Sequence, residues 1–138
     1  TCDYRGDSDY ENIMARILCD RLAEAFAVEG SALLRDELWG FPEGSEGARI
    51  AMGYPSAPDH SGKRLIFDLL DVESEIPLRL TENFMMEPTA AVSGIVFAHP
   101  AADYFHIGTV DNEQLADYAR RSGRTVADLR RMMPNNVL

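Results

Sequence analysis

With 138 residues, of which 46% are hydrophobic and 26% charged, the chain has the size and composition of a single globular domain over residues 1–138. Its formal net charge of −10 argues against nucleic acid and against an anionic membrane surface as partners, since both attract basic proteins. No run of about 18 apolar residues that could span a bilayer is present, and no charged start with an apolar stretch marks a signal peptide.

A long helix is predicted from about residue 9 to residue 38. Asp7 or Ser8 can cap its start, and Gly40 with the proline that follows ends it. Apolar residues recur at helical spacing and form one stripe, in which Cys19 is predicted to be a small core residue. The stripe comprises Ile13, Met14, Ile17, Leu18, Leu22, Ala25 and Phe26.

A turn segment runs from Arg49 to His60, after a loop over residues 40–48 that is rich in glycine and glutamate. Gly53 permits a positive φ, Tyr54 offers a flat ring with a polar tip, and Pro55 fixes the next φ. A guanidinium pairs with a carboxylate through two parallel hydrogen bonds. The segment can therefore hold a planar, zwitterionic small molecule; from spacing alone, the alternative is an ordinary surface turn with an exposed arginine.

The rest of the chain is predicted to alternate between short helices and strands. A second helix runs over about residues 61–74 with Leu65, Ile66, Leu69 and Leu70 on its inner face. Strands near 78–84, 90–97 and 104–110 form a small antiparallel meander. A helix follows the Asp111 cap and stops at Gly123, and Thr125 caps a last one. The fold class is α+β: a long N-terminal helix, a small antiparallel sheet and short flanking helices.

No catalytic apparatus is recognisable in the sequence. It has neither a Gly-x-Ser-x-Gly motif nor a glycine-rich phosphate loop. The three histidines, His60, His99 and His106, match no metal-ligand spacing, so no metal site is predicted. Cys2 and Cys19 are too few for a disulfide framework, which favours a reduced, cytoplasmic setting. These features indicate a binding module.

Four segments, taken together and in order, resemble the activation domain of cobalamin-dependent methionine synthase. They are residues 13–27 with the run Asp20-Arg21-Leu22-Ala23-Glu24-Ala25-Phe26-Ala27, the Arg49–His60 turn, residues 80–94 from Leu80-Thr81-Glu82 to Val92-Ser93-Gly94, and Asp117-Tyr118-Ala119-Arg120-Arg121. The domain of that family is longer, and the chain is similar to its C-terminal part. We therefore expect the second half of that fold.

The resemblance implies a role in reactivating a methyltransferase of methionine biosynthesis. In the family, the domain presents S-adenosylmethionine to a cobalamin that has been oxidised to Co(II). The cobalamin belongs to a partner domain or chain, and a flavodoxin-type reductant supplies the electron. The domain contributes positioning, so this chain alone is not expected to be a complete catalyst.

The resemblance also implies a set of site residues. Those for S-adenosylmethionine are Glu24, Arg49, Ala51, Gly53, Tyr54 and Tyr104, and those facing the cobalamin are His60, Met86 and Pro88. Without the resemblance, Glu24 would be part of a solvated helix face and Tyr104 a half-buried strand aromatic. The chain departs from the family pattern at Met52, where the family has proline, and at Glu87, where it usually has an aromatic residue.

Two other functions are compatible with the sequence. One is a non-catalytic scaffold or interaction subunit of a corrinoid methyltransferase that has lost ligand binding, which the short 40–48 loop favours. The other is a free-standing methyltransferase, against which the missing base and nucleophile argue.

Overall fold

The computed structural model describes residues 4–39 and 47–138. Helix α1 spans Asp9–Leu33 and continues as a single π-helical turn, Leu34–Leu38. Ser8 caps α1 by accepting a hydrogen bond from the backbone N–H of Glu11, whose side chain accepts one from Ser8 in return. The predicted helix over residues 9–38 and its cap are confirmed, and Gly30 lies inside α1 without interrupting it.

The apolar stripe of α1 lies on the surface of this chain. None of the residues of α1 is buried, and Leu22 and Phe26 are 69% and 80% exposed. Cys19 is half-buried and disulfide-bonded, so the prediction of a reduced core residue is wrong. A helical stripe is buried only where another element packs on it, and no described part of this chain covers α1 in that way. Within residues 4–39 and 47–138, no helix combines the length and apolar character needed to cross a bilayer.

The strands form two separate two-stranded antiparallel sheets. In the first, β1 (Ala48–Ile50) pairs with β4 (Ile95–Phe97), so that Arg49 lies opposite Val96. In the second, β2 (Arg79–Leu80) pairs with β3 (Met86–Glu87). A Cβ atom at Gly94 would lie 2.8 Å from the carbonyl oxygen of Ile50, so this glycine lets the chain pass close to β1 just before β4 begins.

The predicted three-strand meander is therefore wrong. Residues 104–109 form no strand, and only an isolated bridge between Val110 and Val137 follows them. The strand that pairs with β4 comes instead from the segment interpreted as a turn. Its three residues are too few to show a period of two, and its partner is nearly 50 residues away, so the local pattern could not reveal it.

A short helical region follows the turn and leads away from it. It consists of a 3₁₀ helix at His60–Gly62, α2 at Lys63–Leu69 and α3 at Val72–Glu75, with Asp71 in a left-handed conformation between the last two. The helix predicted over about residues 61–74 is confirmed in part, since it is interrupted at Leu70 and Asp71, and its predicted aliphatic inner face is wrong. Phe67 and Lys63 are the buried residues of α2, at 1% and 5% exposure, whereas Leu65 and Leu69 face solvent. The face of α2 that carries Phe67 therefore packs inward.

The main hydrophobic core lies at the C-terminal end. It joins α4 (Asn112–Ser122) to α5 (Val126–Met132), and its buried residues are Leu115, Ala119, Leu129, Met132 and Met133. Asp111 caps α4 together with Gln114, and Thr125 caps α5. Gly123 ends α4 in the left-handed conformation that favours glycine. These two helices and their boundaries confirm the prediction.

Candidate functional site

A groove of about 930 Å³ lies between α1, the end of β1 with its turn, and residues 85–93. All six residues predicted to contact S-adenosylmethionine line it: Glu24, Arg49, Ala51, Gly53, Tyr54 and Tyr104. Of the three predicted to face cobalamin, His60 and Met86 also line the groove. Pro88 does not, although Met86 and Thr89 on either side of it do.

Arg49 and Glu24 form an ion pair within this groove. The Nη2 atom of Arg49 donates to Oε1 of Glu24 at 2.5 Å, which links β1 to the middle of α1. The other terminal nitrogen of Arg49, Nη1, is buried and has no hydrogen-bond partner within the described residues. A buried guanidinium nitrogen without a partner is energetically costly.

The turn after β1 is closed by two backbone hydrogen bonds. Gly53 N donates to Ala57 O at 2.7 Å, and Ala57 N donates to Tyr54 O at 2.8 Å. Gly53 has a φ of +94°, which confirms the positive φ that the sequence allows. Its missing side chain has a second consequence, because a Cβ atom there would overlap the His60 ring. Backbone and ring are thus in contact at the groove wall.

The segment that carries Tyr104 is held against the same turn. Ile107 N donates to Pro55 O at 3.1 Å, and the Ser56 hydroxyl donates to Phe105 O. These hydrogen bonds fix residues 104–109 to the turn, although the segment forms neither helix nor strand. Tyr104 therefore lines the groove from an irregular segment. Tyr54 is 59% exposed, so its ring has a free face.

His60 and Lys63 form a second polar contact of the groove wall. Their atoms Nδ1 and Nζ lie 2.8 Å apart, and Lys63 is only 5% exposed. Burial lowers the pKa of Lys63. Burial also lowers the pKa of His60, the charge of Lys63 acts in the same direction, and the charge of Asp59 opposes them. Sequence reasoning missed Lys63; the available signal was its position three residues after His60, one helical turn away.

Asp59 ties this wall to the C-terminal core. It is 7% exposed, and its Oδ1 accepts from Ser61 N at 2.8 Å. Its Oδ2 accepts from the hydroxyl of Tyr118, on α4, at 2.6 Å. Burial, followed by this hydrogen bond, raises the pKa of Tyr118 to about 12. The groove wall is therefore anchored to α4 by a satisfied buried carboxylate.

The groove also contains polar residues without a predicted role. Asp20 and Arg21 line it from α1, one turn before Glu24. Ser93 lines it too, and its hydroxyl oxygen is buried without a partner in the part of the chain described. Within residues 4–39 and 47–138, no group of three or more His, Cys, Asp and Glu side chains is arranged to hold a metal ion.

This arrangement has the chemistry of a binding site for a small zwitterion with a flat ring. A guanidinium provides the partner for a carboxylate, and acidic side chains of α1 provide partners for a cation. Tyr54 and Tyr104 provide two ring surfaces, which bind planar groups.

The sequence matches a known family over most of its length. The family described as "Vitamin B12 dependent methionine synthase, activation domain" matches residues 3–123. A solved structure described as "Crystal Structure of the MetH Reactivation Domain bound to AdoHcy" is similar at a TM-score of 0.84 and 39% sequence identity, over 94% of this chain. This chain spans 43% of the length of that one. The long first helix, small antiparallel sheets and short helices described above are those of the reactivation-domain fold. The chain belongs to the activation-domain family of vitamin B12-dependent methionine synthase.

Proposed function

We propose that the chain binds S-adenosylmethionine in this groove and positions the methyl group of the ligand toward a cobalamin held by a partner domain or chain of methionine synthase. The observation that carries the proposal is that one groove is lined by all six predicted ligand residues, with the guanidinium of Arg49 held beside Glu24. The similar reactivation domain was crystallised with AdoHcy, which differs from S-adenosylmethionine by the methyl group and the positive charge of the sulfonium. A groove that holds one has the shape to hold the other.

Each residue has a role that follows from its chemistry. Arg49 binds the ligand carboxylate, because its fork of donors matches two carboxylate oxygens. Glu24 lies beside it and stabilises the positive charge of the ligand. Ala51 and Gly53 let the adenosyl group approach the backbone, while Tyr54 and Tyr104 cover its ring.

The methyl-transfer step depends on groups that the partner supplies. S-adenosylmethionine provides the methyl group, the cobalamin accepts it, and a flavodoxin-type protein provides one electron. This chain binds and orients the donor, and His60, Met86 and Pro88 are proposed to face the cobalamin. The net charge of −10 would repel an acidic reductant, so we expect the reductant to dock on another part of the assembly.

Calorimetric titration with S-adenosylmethionine tests the proposal. Arg49→Ala is expected to weaken binding by roughly 10- to 150-fold, because a hydrogen bond to a charged group contributes about 1.5–3 kcal/mol. Arg131→Ala is the matched control, since Arg131 is 66% exposed on α5 and pairs only with Asp128 in the described structure. Absence of binding by the unmodified chain, or equal affinity in Arg49→Ala, would contradict the proposal.

A second candidate is a non-catalytic interaction subunit of a corrinoid methyltransferase. The Arg49–Glu24 ion pair favours it, because two predicted ligand residues satisfy one another. This candidate requires that the chain bind the cobalamin-bearing partner while giving no heat with S-adenosylmethionine. Titration with the cobalamin-bearing partner and titration with S-adenosylmethionine together therefore distinguish the two functions.

A further inference from the structure

We propose that Lys63 is a positioning residue of the groove: its ammonium group donates to Nδ1 of His60 and so fixes His60 as a neutral ring whose single N–H is on Nε2. The proposal gives a role to a residue that neither the sequence pattern nor the comparisons assign. It rests on the proposed function only in taking S-adenosylmethionine as the ligand of the groove that His60 lines.

The geometry places the His60 ring between a lysine and a glycine. Nζ of Lys63 lies 2.8 Å from Nδ1, and His60 and Lys63 are the first residues of the 3₁₀ helix and of α2. Side chains three residues apart eclipse one another in a 3₁₀ helix, which brings these two together. On the other side, Gly53 leaves the space that the ring occupies.

The short helix that carries both residues is packed closely on the turn. A Cβ atom at Gly62 would lie 2.9 Å from Sδ of Met52, so this glycine lets the Met52 side chain cover the helix. Asp59, just before the helix, is fixed by Ser61 and Tyr118. The ring therefore has few alternative positions.

The proton of this hydrogen bond belongs to Lys63. Lysine is ordinarily the stronger base by about four pH units, and burial lowers the pKa of both residues. The ammonium of Lys63 then donates a hydrogen bond to Nδ1 of His60. Nδ1 accepts and carries no proton, so the single ring proton is on Nε2. A second proton on His60 would place two cations together, and among the described residues the charge of Asp59 opposes that effect. Other charged residues lining the groove are Asp20, Arg21, Glu24 and Arg49.

A neutral His60 suits a positively charged ligand. His60 lines the groove with its Nε2 close to the Gly53 backbone, and a neutral ring there adds no charge that would repel a sulfonium. If His60 were free to choose its tautomer and to titrate near pH 6.5, the groove wall would change its donor pattern and its charge near neutral pH. Lys63 prevents both changes.

Long-range ¹H–¹⁵N NMR spectra of the ligand-free chain test this assignment, with His60→Gln used to identify the His60 signals. We expect the Nε2–H tautomer and a pKa of His60 below the ordinary value for histidine. His99 is an internal control, because its Nδ1 accepts from Ala101 N at 3.0 Å and its tautomer is independent of Lys63. A proton on Nδ1 of His60 in the unmodified chain would overturn the proposal, whether or not any variant folds.

Two substitutions show that Lys63 is the cause. Lys63→Met is expected to give a mixture of His60 tautomers and an upward shift of the His60 pKa, while His99 is unchanged. Lys63→Arg is expected to retain the Nε2–H tautomer, because it keeps a charged donor. Unchanged His60 signals in a folded Lys63→Met would contradict the proposal.

The ligand-bound state supplies an independent readout. The ratio of the Kd for S-adenosylmethionine at pH 6 to that at pH 8 is expected to rise severalfold in Lys63→Met, because His60 then gains a charge at the lower pH. An unchanged ratio would contradict the proposal. Failure of the unmodified chain to bind overturns the proposed function, whereas the ligand-free spectra decide the role of Lys63 separately.

Discussion

Arg49 and Glu24, 25 residues apart in sequence, meet across the groove through a hydrogen bond of 2.5 Å between Nη2 and Oε1. Their side chains are 29% and 52% exposed, and ion pairs of this kind contribute about 0–1 kcal/mol. A ligand carboxylate hydrogen-bonded to Arg49 contributes more, about 1.5–3 kcal/mol. Ligand binding can therefore break the Arg49–Glu24 ion pair, or it can add a carboxylate to Arg49 while the ion pair stays intact.

Glu24→Gln distinguishes two roles of this carboxylate. If Glu24 stabilises the sulfonium, the substitution should weaken binding of S-adenosylmethionine severalfold more than binding of AdoHcy, which lacks that charge. If Glu24 only holds Arg49 in place, both ligands should lose affinity equally. Parallel calorimetric titrations with the two ligands measure the difference, and we expect the unequal loss.

Gly53→Ala should disturb the groove wall and the stability of the turn together. The φ of +94° disfavours any side chain, and the new Cβ would displace the His60 ring. We expect a loss of unfolding free energy on the order of 1–3 kcal/mol, together with a changed His60 NMR signal.

Gly108→Ala is the matched control for Gly53→Ala. Gly108 also has a positive φ, of +69°, but a Cβ atom there would meet no atom within 4 Å. It should therefore show backbone strain without any change at His60. An equal effect of both substitutions on ligand binding would contradict the proposed contact between the turn and His60.

Tyr118→Phe should destabilise the protein and change how its stability depends on alkaline pH. It removes the hydrogen bond to the buried Asp59, for which we expect a cost of about 1.5–3 kcal/mol. Because the pKa of Tyr118 is raised to about 12, the folded state holds this proton more tightly than the unfolded chain does. The contribution is complete below about pH 10 and is lost as the pH rises toward 12.

Urea unfolding between pH 7 and pH 11 measures this effect. The difference in unfolding free energy between the unmodified chain and Tyr118→Phe should shrink above pH 10. Tyr10→Phe serves as the control, because Tyr10 is 72% exposed on α1. A difference that stays constant with pH would rule out the linkage.

Substitutions on the apolar stripe of α1 should barely change the stability of this chain. Phe26 is 80% exposed, and we expect Phe26→Ser to change the unfolding free energy by no more than about 0.5 kcal/mol. Leu115 is fully buried at 0% exposure, and Leu115→Ala should cost about 2–5 kcal/mol. Chemical denaturation compares the two, and a large loss in Phe26→Ser would show that α1 is packed in solution.

The sequence predicts the helices better than the strands, for a physical reason. Asp111, Gly123 and Thr125 act on their immediate neighbours, so the boundaries of α4 and α5 can be read locally. The pairing of Arg49 with Val96 depends on a long-range approach that Gly94 permits, and three-residue strands carry no usable period. The sequence shows that α1 has an apolar stripe, but whether that stripe is buried depends on whether another element packs on it.

The candidate site, too, could be predicted only in part from the sequence. A resemblance in sequence identified Glu24 and Arg49, and the structure brings them into the same groove. The sequence did not reveal that Glu24 and Arg49 pair with one another, nor that Lys63 contacts His60, because both contacts depend on side-chain geometry. The buried nitrogen of Arg49 likewise required the folded structure to be recognised.

A crystal structure of this chain with S-adenosylmethionine tests the central claim most directly. We expect the ligand carboxylate within hydrogen-bond distance of Arg49, and the adenosyl group against residues 51–54 beside Tyr104. Nη1 of Arg49 should then have a partner. An adenine far from residues 51–54, or a carboxylate that makes no contact with Arg49, would contradict the claim whatever the measured affinity.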